Sequence, residues 1–333
     1  MNVVALLTDK ELEELFTSTA IQIGIRPEAI EKDFWVCYAL DHLFNDCKFK
    51  DSFVFKGGTS LSKSYHLINR FSEDIDLILD WRKIISDDSD PWAERSKSKQ
   101  DQYNKQLNSE AAKFYRKNLV PVLNDEMGDK LKVANLFSVD DQDEMVVNFY
   151  YPKLFNDNYL RPIIRLEIGP LAEWTPSHLT TITPFVAEKY PDIFNKVSTD
   201  VLTVDAERTF WEKITILHKI AHFPENKMIP KRYARHLYDV YCMGHSSLKQ
   251  SAFACKELLR KDVIFKQKFY YSKGSHYETA TLNDINLIPR EDLLSELHKD
   301  YKAMENMIYG DVPSFEEIIK YLIELQSEIH SLR

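Results

Sequence analysis

Asp74 and Asp76 stand two residues apart in Glu73-Asp74-Ile75-Asp76-Leu77-Ile78-Leu79, within an otherwise apolar run. Alternate residues of a strand point the same way, so both carboxylates can reach one metal ion while Ile75, Leu77 and Leu79 anchor the strand in a core. Upstream, Lys56-Gly57-Gly58-Thr59-Ser60 forms a glycine turn ahead of a helix. Glycines let a phosphate approach the backbone closely, and the N–H groups and the Ser60 hydroxyl can hold β- and γ-phosphate oxygens at the helix N-terminus. Carboxylates on a rigid strand can hold two Mg²⁺ ions, or Mn²⁺, about 3.5–4 Å apart to clamp attacking and leaving oxygens. Asp-x-Asp alone also suits a solvated strand end; the glycine turn before it favours phosphoryl or nucleotidyl transfer.

These groups need a scaffold of strand, turn, helix, strand, and the sequence supplies one. Phe53-Val54-Phe55 reads as a short apolar strand ending at Gly57-Gly58, and Thr59–Ile68 suits a helix. Residues 8–47 look helical and amphipathic, with Thr8 as cap and a break at Arg26-Pro27. Beyond Asp80 the polar stretches Asp87-Asp88-Ser89-Asp90-Pro91 and Lys97–Asp101 lead into a helix over roughly 100–127. Lys132–Ser138, Glu144–Tyr151 and Pro162–Ile168 are strand-like, completing a mixed sheet of about five strands. Prolines at 170, 176, 184 and 191 mark connecting loops, after which helical periodicity covers 205–222, 230–243, 248–260, 291–307 and 313–331. Segment 266–290 reads as a loop that packs over a site. No internal repeat and no low-complexity tract is found.

The expected fold is therefore α+β. An N-terminal helical layer (1–50) precedes a core (51–170) with a helical insertion (82–128), connecting loops (171–204) and a C-terminal helical domain (205–333). The expected active site lies in the cleft between sheet and C-terminal helices.

Composition narrows the class. The 333 residues carry 43 Lys plus Arg against 52 Asp plus Glu, a formal charge of −9, which argues against broad electrostatic capture of nucleic acid. A polynucleotide substrate would need a local basic patch. Cys37, Cys47, Cys242 and Cys255 form no Cys-x-x-Cys pair, so packing is their expected role. No stretch approaches the roughly 20 apolar residues of a membrane span, and the first residues lack the pattern of a signal peptide. The expected location is cytoplasmic.

The glycine turn followed by Asp74-Ile75-Asp76 matches the signature of the polymerase-β-like nucleotidyltransferase superfamily. That resemblance implies a third carboxylate on a neighbouring strand, and Glu167 in Ile163-Ile164-Arg165-Leu166-Glu167-Ile168 is the candidate, because a charge in an apolar strand needs a reason. An Arg165–Glu167 pair on a wet sheet face is the alternative, and Asp143 and Glu144 are rivals at a strand edge.

The chain also resembles one family within that superfamily, the AbiEii/AbiGii toxin nucleotidyltransferases of abortive-infection and toxin–antitoxin systems. The resemblance rests on Lys56-Gly57-Gly58-Thr59-Ser60-Leu61, Arg70-Phe71-Ser72-Glu73-Asp74-Ile75-Asp76-Leu77 and Glu31-Lys32-Asp33-Phe34-Trp35-Val36. Glu207-Arg208-Thr209-Phe210-Trp211-Glu212-Lys213-Ile214 and Arg232-Tyr233-Ala234-Arg235-His236-Leu237-Tyr238-Asp239 extend it over most of residues 28–240.

The resemblance implies a transferase that moves a nucleoside monophosphate from an NTP to an RNA such as tRNA, or to another acceptor. It implies a type IV toxin–antitoxin or phage-defence role, with a cognate antitoxin encoded nearby. Lys56, Gly57, Gly58, Thr59 and Ser60 match the nucleotide-binding turn, Asp74 and Asp76 the metal site. Lys213 matches the family's helical lysine, with Lys219 as a rival, and Asp239 its late aspartate. A lysine beside the triphosphate would offset phosphate charge; an aspartate could orient it or accept a proton from the attacking hydroxyl. Arg232 and Arg235, three apart, would share a helix face near Asp239 and, with Lys227 and Lys231, clamp triphosphate or RNA, or simply neutralise nearby acids. His236 departs from the pattern, since many members carry an acid there; a structural role is expected for it. His66 and His218 are expected to pack. An antibiotic-type small-molecule nucleotidyltransferase and a GTP- or CTP-binding regulator without turnover are the competing functions.

Overall fold

In the computed structural model, the Asp-x-Asp segment leads into the middle strand of one seven-stranded mixed sheet. Residues 1–84, 90–156, 161–171, 176–225 and 228–332 are described. Contacts divide the chain into two units, Met1–Ser64 with Ser72–Val204, and Tyr65–Phe71 with Asp205–Arg333.

The first unit holds the sheet. Its strands are β1 (Phe53–Lys56), β2 (Ile75–Leu79), β3 (Phe137–Val139), β4 (Val146–Phe149), β5 (Ile164–Gly169), β6 (Ser177–Ile182) and β7 (Thr199–Val204). They lie in the order β3-β4-β5-β2-β1-β7-β6, with β2–β5 and β1–β7 parallel and the remaining pairs antiparallel. The sheet exceeds the expected five strands because 171–204 is not merely connecting loop: β6 and β7 pair along their whole lengths. β6 is an edge strand with mostly uncovered positions, so it lacks apolar alternation, and Pro176 and Pro184 flank rather than interrupt it. The run at 132–138 becomes strand only at Phe137, since Lys132 and Asn135 have positive φ.

Helices α1 (Asn2–Ala5), α2 (Asp9–Ile23) and α3 (Pro27–Asp41) replace the expected amphipathic layer. Thr8 caps α2, accepting from Glu11 N–H while Glu11 accepts from Thr8 N–H. α3 is not amphipathic: every residue from Ala29 to Asp41 is buried. Its charged residues are therefore bonded. Glu31 accepts the N–H groups of Leu154 and Phe155, Lys32 Nζ lies 2.6 Å from Glu73 Oε2 and 2.8 Å from the Arg161 carbonyl, and Asp33 pairs with Lys63 at 2.8 Å. α4 (Gly57–Lys63) is shorter than expected, ending before the chain leaves this unit at Tyr65. α5 (Lys97–Phe114) and α6 (Val120–Leu131) join through a π-helical turn, and α7 (Phe185–Lys189) lies between β6 and β7. Asp87, Asp88 and Ser89 lie outside the described residues.

The second unit contains α8 (Ala206–Ala221), α9 (Arg235–His245), α10 (Leu248–Ala254), α11 (Glu257–Phe269), α12 (Glu291–Met304) and α13 (Phe315–His330). The helix expected from 230 starts at Arg235, because Asp300 accepts the backbone N–H groups of Arg232 and Ala234 and Arg232 has φ +67°. The helix expected over 248–260 is two, broken after Ala254, and α11 takes the first residues of the expected loop 266–290. Segment 65–71 docks on 307–309, with Phe71 N–H bonded to the Met307 carbonyl and Tyr309 N–H to the Asn69 carbonyl, each at 2.8 Å.

His218 packs as expected: it is fully buried, its Nδ1 accepts from Asn286 N–H and its Nε2 donates to the His276 carbonyl. His66 does not, being exposed with positive φ. Cys37 and Cys47 are buried; all four cysteines are free. No described helix is long and apolar enough to cross a membrane.

Two measurements test this packing. Lys32→Met leaves the Glu73 carboxylate buried without its ammonium and is expected to cost about 3–5 kcal/mol in urea denaturation; a loss below about 1 kcal/mol would refute the pair's importance. Burial lowers the His218 pKa to about 4 from an ordinary 6.5, so its neutral form contributes stability fully above pH 6.5, lost as pH falls through 4. His218→Gln should flatten that acid slope in melts between pH 7 and 4.

Candidate active site

The first unit sets a carboxylate rank on two adjacent strands, β2 and β5, beside Lys56 of β1. Register places Lys56 of β1 opposite Asp76 of β2, and Asp76 beside Glu167 of β5. Directly paired residues share a sheet face, so Asp76 and Glu167 project together. Ile75 and Leu77, which alternate with Asp76, are buried. Asp74 precedes the strand, and its Oδ1 is buried with no hydrogen-bond partner among the described residues.

The glycine turn is built against this rank. Gly57 has φ +80°, and a Cβ placed there would lie 1.9 Å from Asp76 Oδ2, so glycine is required both by conformation and by the approach of the carboxylate. Thr59 Oγ1 donates to the Asp74 carbonyl and lies 3.0 Å from Ser72 Oγ, tying the helix start to the strand start. Ser60, expected to hold phosphate through its hydroxyl, is fully buried and donates instead to the Gly57 carbonyl at 2.9 Å. Gly58 is also buried.

The rivals for the third carboxylate serve elsewhere. Asp143 Oδ1 accepts Met145 N–H in a turn, and Glu144 pairs with Arg116 at 2.7 Å. Arg165 lies 3.7 Å from Glu167, so the pair weighed against the metal role also forms, though Glu167 keeps a side chain 43% exposed. The orphaned Asp74 oxygen and the all-oxygen set of Asp74, Asp76 and Glu167 fit a hard divalent cation.

The second unit brings Lys213 of α8 and Asp239 of α9 together. Lys213 Nζ lies 2.9 Å from Asp239 Oδ2 and 3.2 Å from His236 Nδ1. Arg70 completes the group, its Nε 2.7 Å from Asp239 Oδ1 and its Nη2 2.9 Å from Oδ2. Burial alone would raise the Asp239 pKa, but Arg70 and Lys213 outweigh it and hold this carboxyl well below the usual carboxylate range. Burial lowers the Lys213 pKa, opposed by Asp239 and assisted by Arg70 and Arg235. Burial, then Lys213 and Arg235, push His236 well below its ordinary value, so His236 stays neutral.

Arg232 and Arg235 do not share a helix face, because Arg232 precedes α9 in a left-handed turn. Lys231 is exposed, and Lys227 lies outside the described residues. Lys219 is half-buried and joins neither Asp239 nor His236. Arg70 was missed as a site residue although it heads the Arg-Phe-Ser-Glu-Asp motif; an arginine beside a buried carboxylate strand was the available signal. Among the described residues, the group of three that brings potential ligand atoms within 4.8 Å of one another is His42, Cys47 and Glu126 rather than the three carboxylates. There the Lys130 ammonium lies 3.4 Å from His42 Nδ1, which leaves the ring proton on Nε2, bonded to Glu126 at 2.8 Å.

A family model described as "Nucleotidyl transferase AbiEii toxin, Type IV TA system" matches residues 38–321. Among solved structures, MenT4, a nucleotidyltransferase toxin from Mycobacterium tuberculosis H37Rv, aligns over 98% of this chain and 100% of its own, at 14% identity and a TM-score of 0.44. A comparison with curated proteins gave no match.

Gly57→Ala tests the turn. Strain at φ +80° and the clash with Asp76 should lower activity by more than tenfold at a stability cost of about 1–3 kcal/mol; unchanged turnover would remove the turn from the site.

Proposed function

Because the chain belongs to the AbiEii family of nucleotidyltransferase toxins of type IV toxin–antitoxin systems, and is a nucleotidyltransferase, we propose that it transfers a nucleoside monophosphate from an NTP to an RNA acceptor such as tRNA. The proposed cation is Mg²⁺, with Mn²⁺ as substitute, and the proposed setting is defence against phage. The family implies an NTP substrate, a divalent metal and an antitoxin partner.

The observation that carries this reading is Asp74 Oδ1, buried with no donor among the described residues and two residues from Asp76. A buried carboxylate oxygen left unsatisfied is costly unless a cation meets it. Asp74, Asp76 and Glu167 are the proposed metal ligands. When bound there, the metal would neutralise triphosphate charge and hold the reacting oxygens in place. In the transfer, an acceptor oxygen forms a bond to the α-phosphorus, and the bond from that phosphorus to the bridging oxygen breaks. Pyrophosphate leaves with the electron pair, and the hydroxyl proton passes to solvent.

The chain's own groups divide the remaining work. Gly57 and Gly58 offer backbone N–H groups to phosphate, while Thr59 and Ser60, whose hydroxyls are engaged within the turn, hold its shape. Lys56, Arg232 and Arg235 are proposed nucleotide contacts. Lys213 meets triphosphate charge. Asp239 orients Lys213 rather than accepting a proton: both its oxygens are occupied, and a carboxylate held so acidic is a poor base.

The test is incubation with labelled NTPs, Mg²⁺ and total tRNA. Label should appear on RNA and fall by at least about 10³-fold in Asp74→Ala and Asp76→Ala, while thermal melting is retained because removing clustered carboxylates relieves repulsion. Full activity of either variant would overturn the site, and transfer to a small molecule alone would overturn the acceptor.

A further inference from the structure

Charges in the buried cluster of the second unit do not cancel. Arg70 and Lys213 are two cations, Asp239 is the carboxylate they share, and His236 is neutral, which leaves one positive charge in surplus. The described residues bring no second carboxylate into hydrogen-bond range of Arg70 or Lys213. Arg235, on the same helix as Asp239, adds repulsion rather than relief.

The two cations hold Asp239 unequally. Arg70 spans both carboxylate oxygens with its fork, whereas Lys213 reaches only Oδ2, an oxygen Arg70 also contacts. Arg70 is set in place before any substrate arrives: its residue is 4% exposed, and hydrogen bonds of the flanking Asn69 and Phe71 tie its backbone to residues 307–309. An arginine so placed satisfies Asp239 by itself. The ammonium of Lys213 is then under-neutralised in a dry site, where an anion is bound more strongly than in water.

We infer that Arg70 is a positioning residue for phosphate recognition, occupying Asp239 so that the charge of Lys213 is left for the anionic substrate. This rests on the reading of Lys213 as a triphosphate contact. It makes charge, rather than shape alone, the function of Arg70, and gives the Arg-Phe-Ser-Glu-Asp motif a role separate from its carboxylates.

The charge count supplies the test, read as KM and kcat for NTP with the full chain. Arg70→Gln lets Asp239 neutralise Lys213, so KM should rise roughly tenfold while kcat changes by less than about threefold. Arg70→Lys, which keeps the surplus charge and leaves Asp239 in place, should hold KM to within about threefold of wild type, whereas a structural role for the guanidinium fork would raise it as far as Arg70→Gln does. Arg70→Gln leaves Asp239 paired with Lys213, so no buried charge is orphaned; melting curves check this. If it does not fold, Arg70→Lys decides: KM within about threefold of wild type supports the charge argument, and a tenfold rise overturns it. Lys213→Ala separates the two readings. Raised KM in Lys213→Ala with unchanged KM in Arg70→Gln refutes the inference alone, and unchanged KM in Lys213→Ala refutes the lysine assignment and the inference with it.

Discussion

The Lys32–Glu73 ion pair, 2.6 Å long with both side chains essentially removed from solvent, is the constraint on which the first unit's chemistry depends. Two charges taken out of water are held only by close, well-bonded geometry, and removing either partner leaves the other stranded. Glu73 is the residue before Asp74, so the helix bearing Lys32 sets where the carboxylate strand begins. A second tie, from Thr59 to the Asp74 carbonyl, fixes the same point from the glycine turn. Asp74 is thus placed through its neighbours' bonds, while its own Oδ1 is buried with no hydrogen-bond partner among the described residues.

That economy explains why so many charges in this chain are buried. Glu31, Lys32 and Asp33 are consecutive on α3, and each is bonded to a different segment. A helix buried on every side cannot present charge to water, so each side chain finds a fixed partner, and those partners locate loops that apolar packing alone would leave loosely specified. Arg70, Lys213 and Asp239 repeat the principle in the second unit, with one difference: two cations share one anion, the imbalance from which a phosphate contact is inferred.

Much of this was legible from residue types. The period-two pattern around Asp76, the glycine turn before a helix and Thr8 as a helix cap are local signals, and each resolved where expected. Glu167 could be named because a carboxylate in an apolar strand is anomalous. β6 was illegible, since an edge strand with uncovered threonines carries no apolar alternation. The start of α9 was illegible too, because a carboxylate some 65 residues away in sequence, Asp300, sets it. The bonding of Ser60 was open: a hydroxyl beside a glycine turn can face phosphate or its own backbone, and here it donates to the Gly57 carbonyl.

By itself the sequence determined the chemistry on offer, a glycine turn and paired carboxylates on a strand, together with the family that uses them, because those features reside in contiguous residues and local backbone geometry. Tertiary structure alone decided which side chains are committed and which are left available. Register set Glu167 beside Asp76, a bond 169 residues long in sequence set Arg70 on Asp239, and burial turned Glu31, Lys32 and Asp33 from helix surface into anchors. Those outcomes depend on distances between segments remote in the chain and on the removal of water around them, and neither quantity is carried by any single stretch of residues.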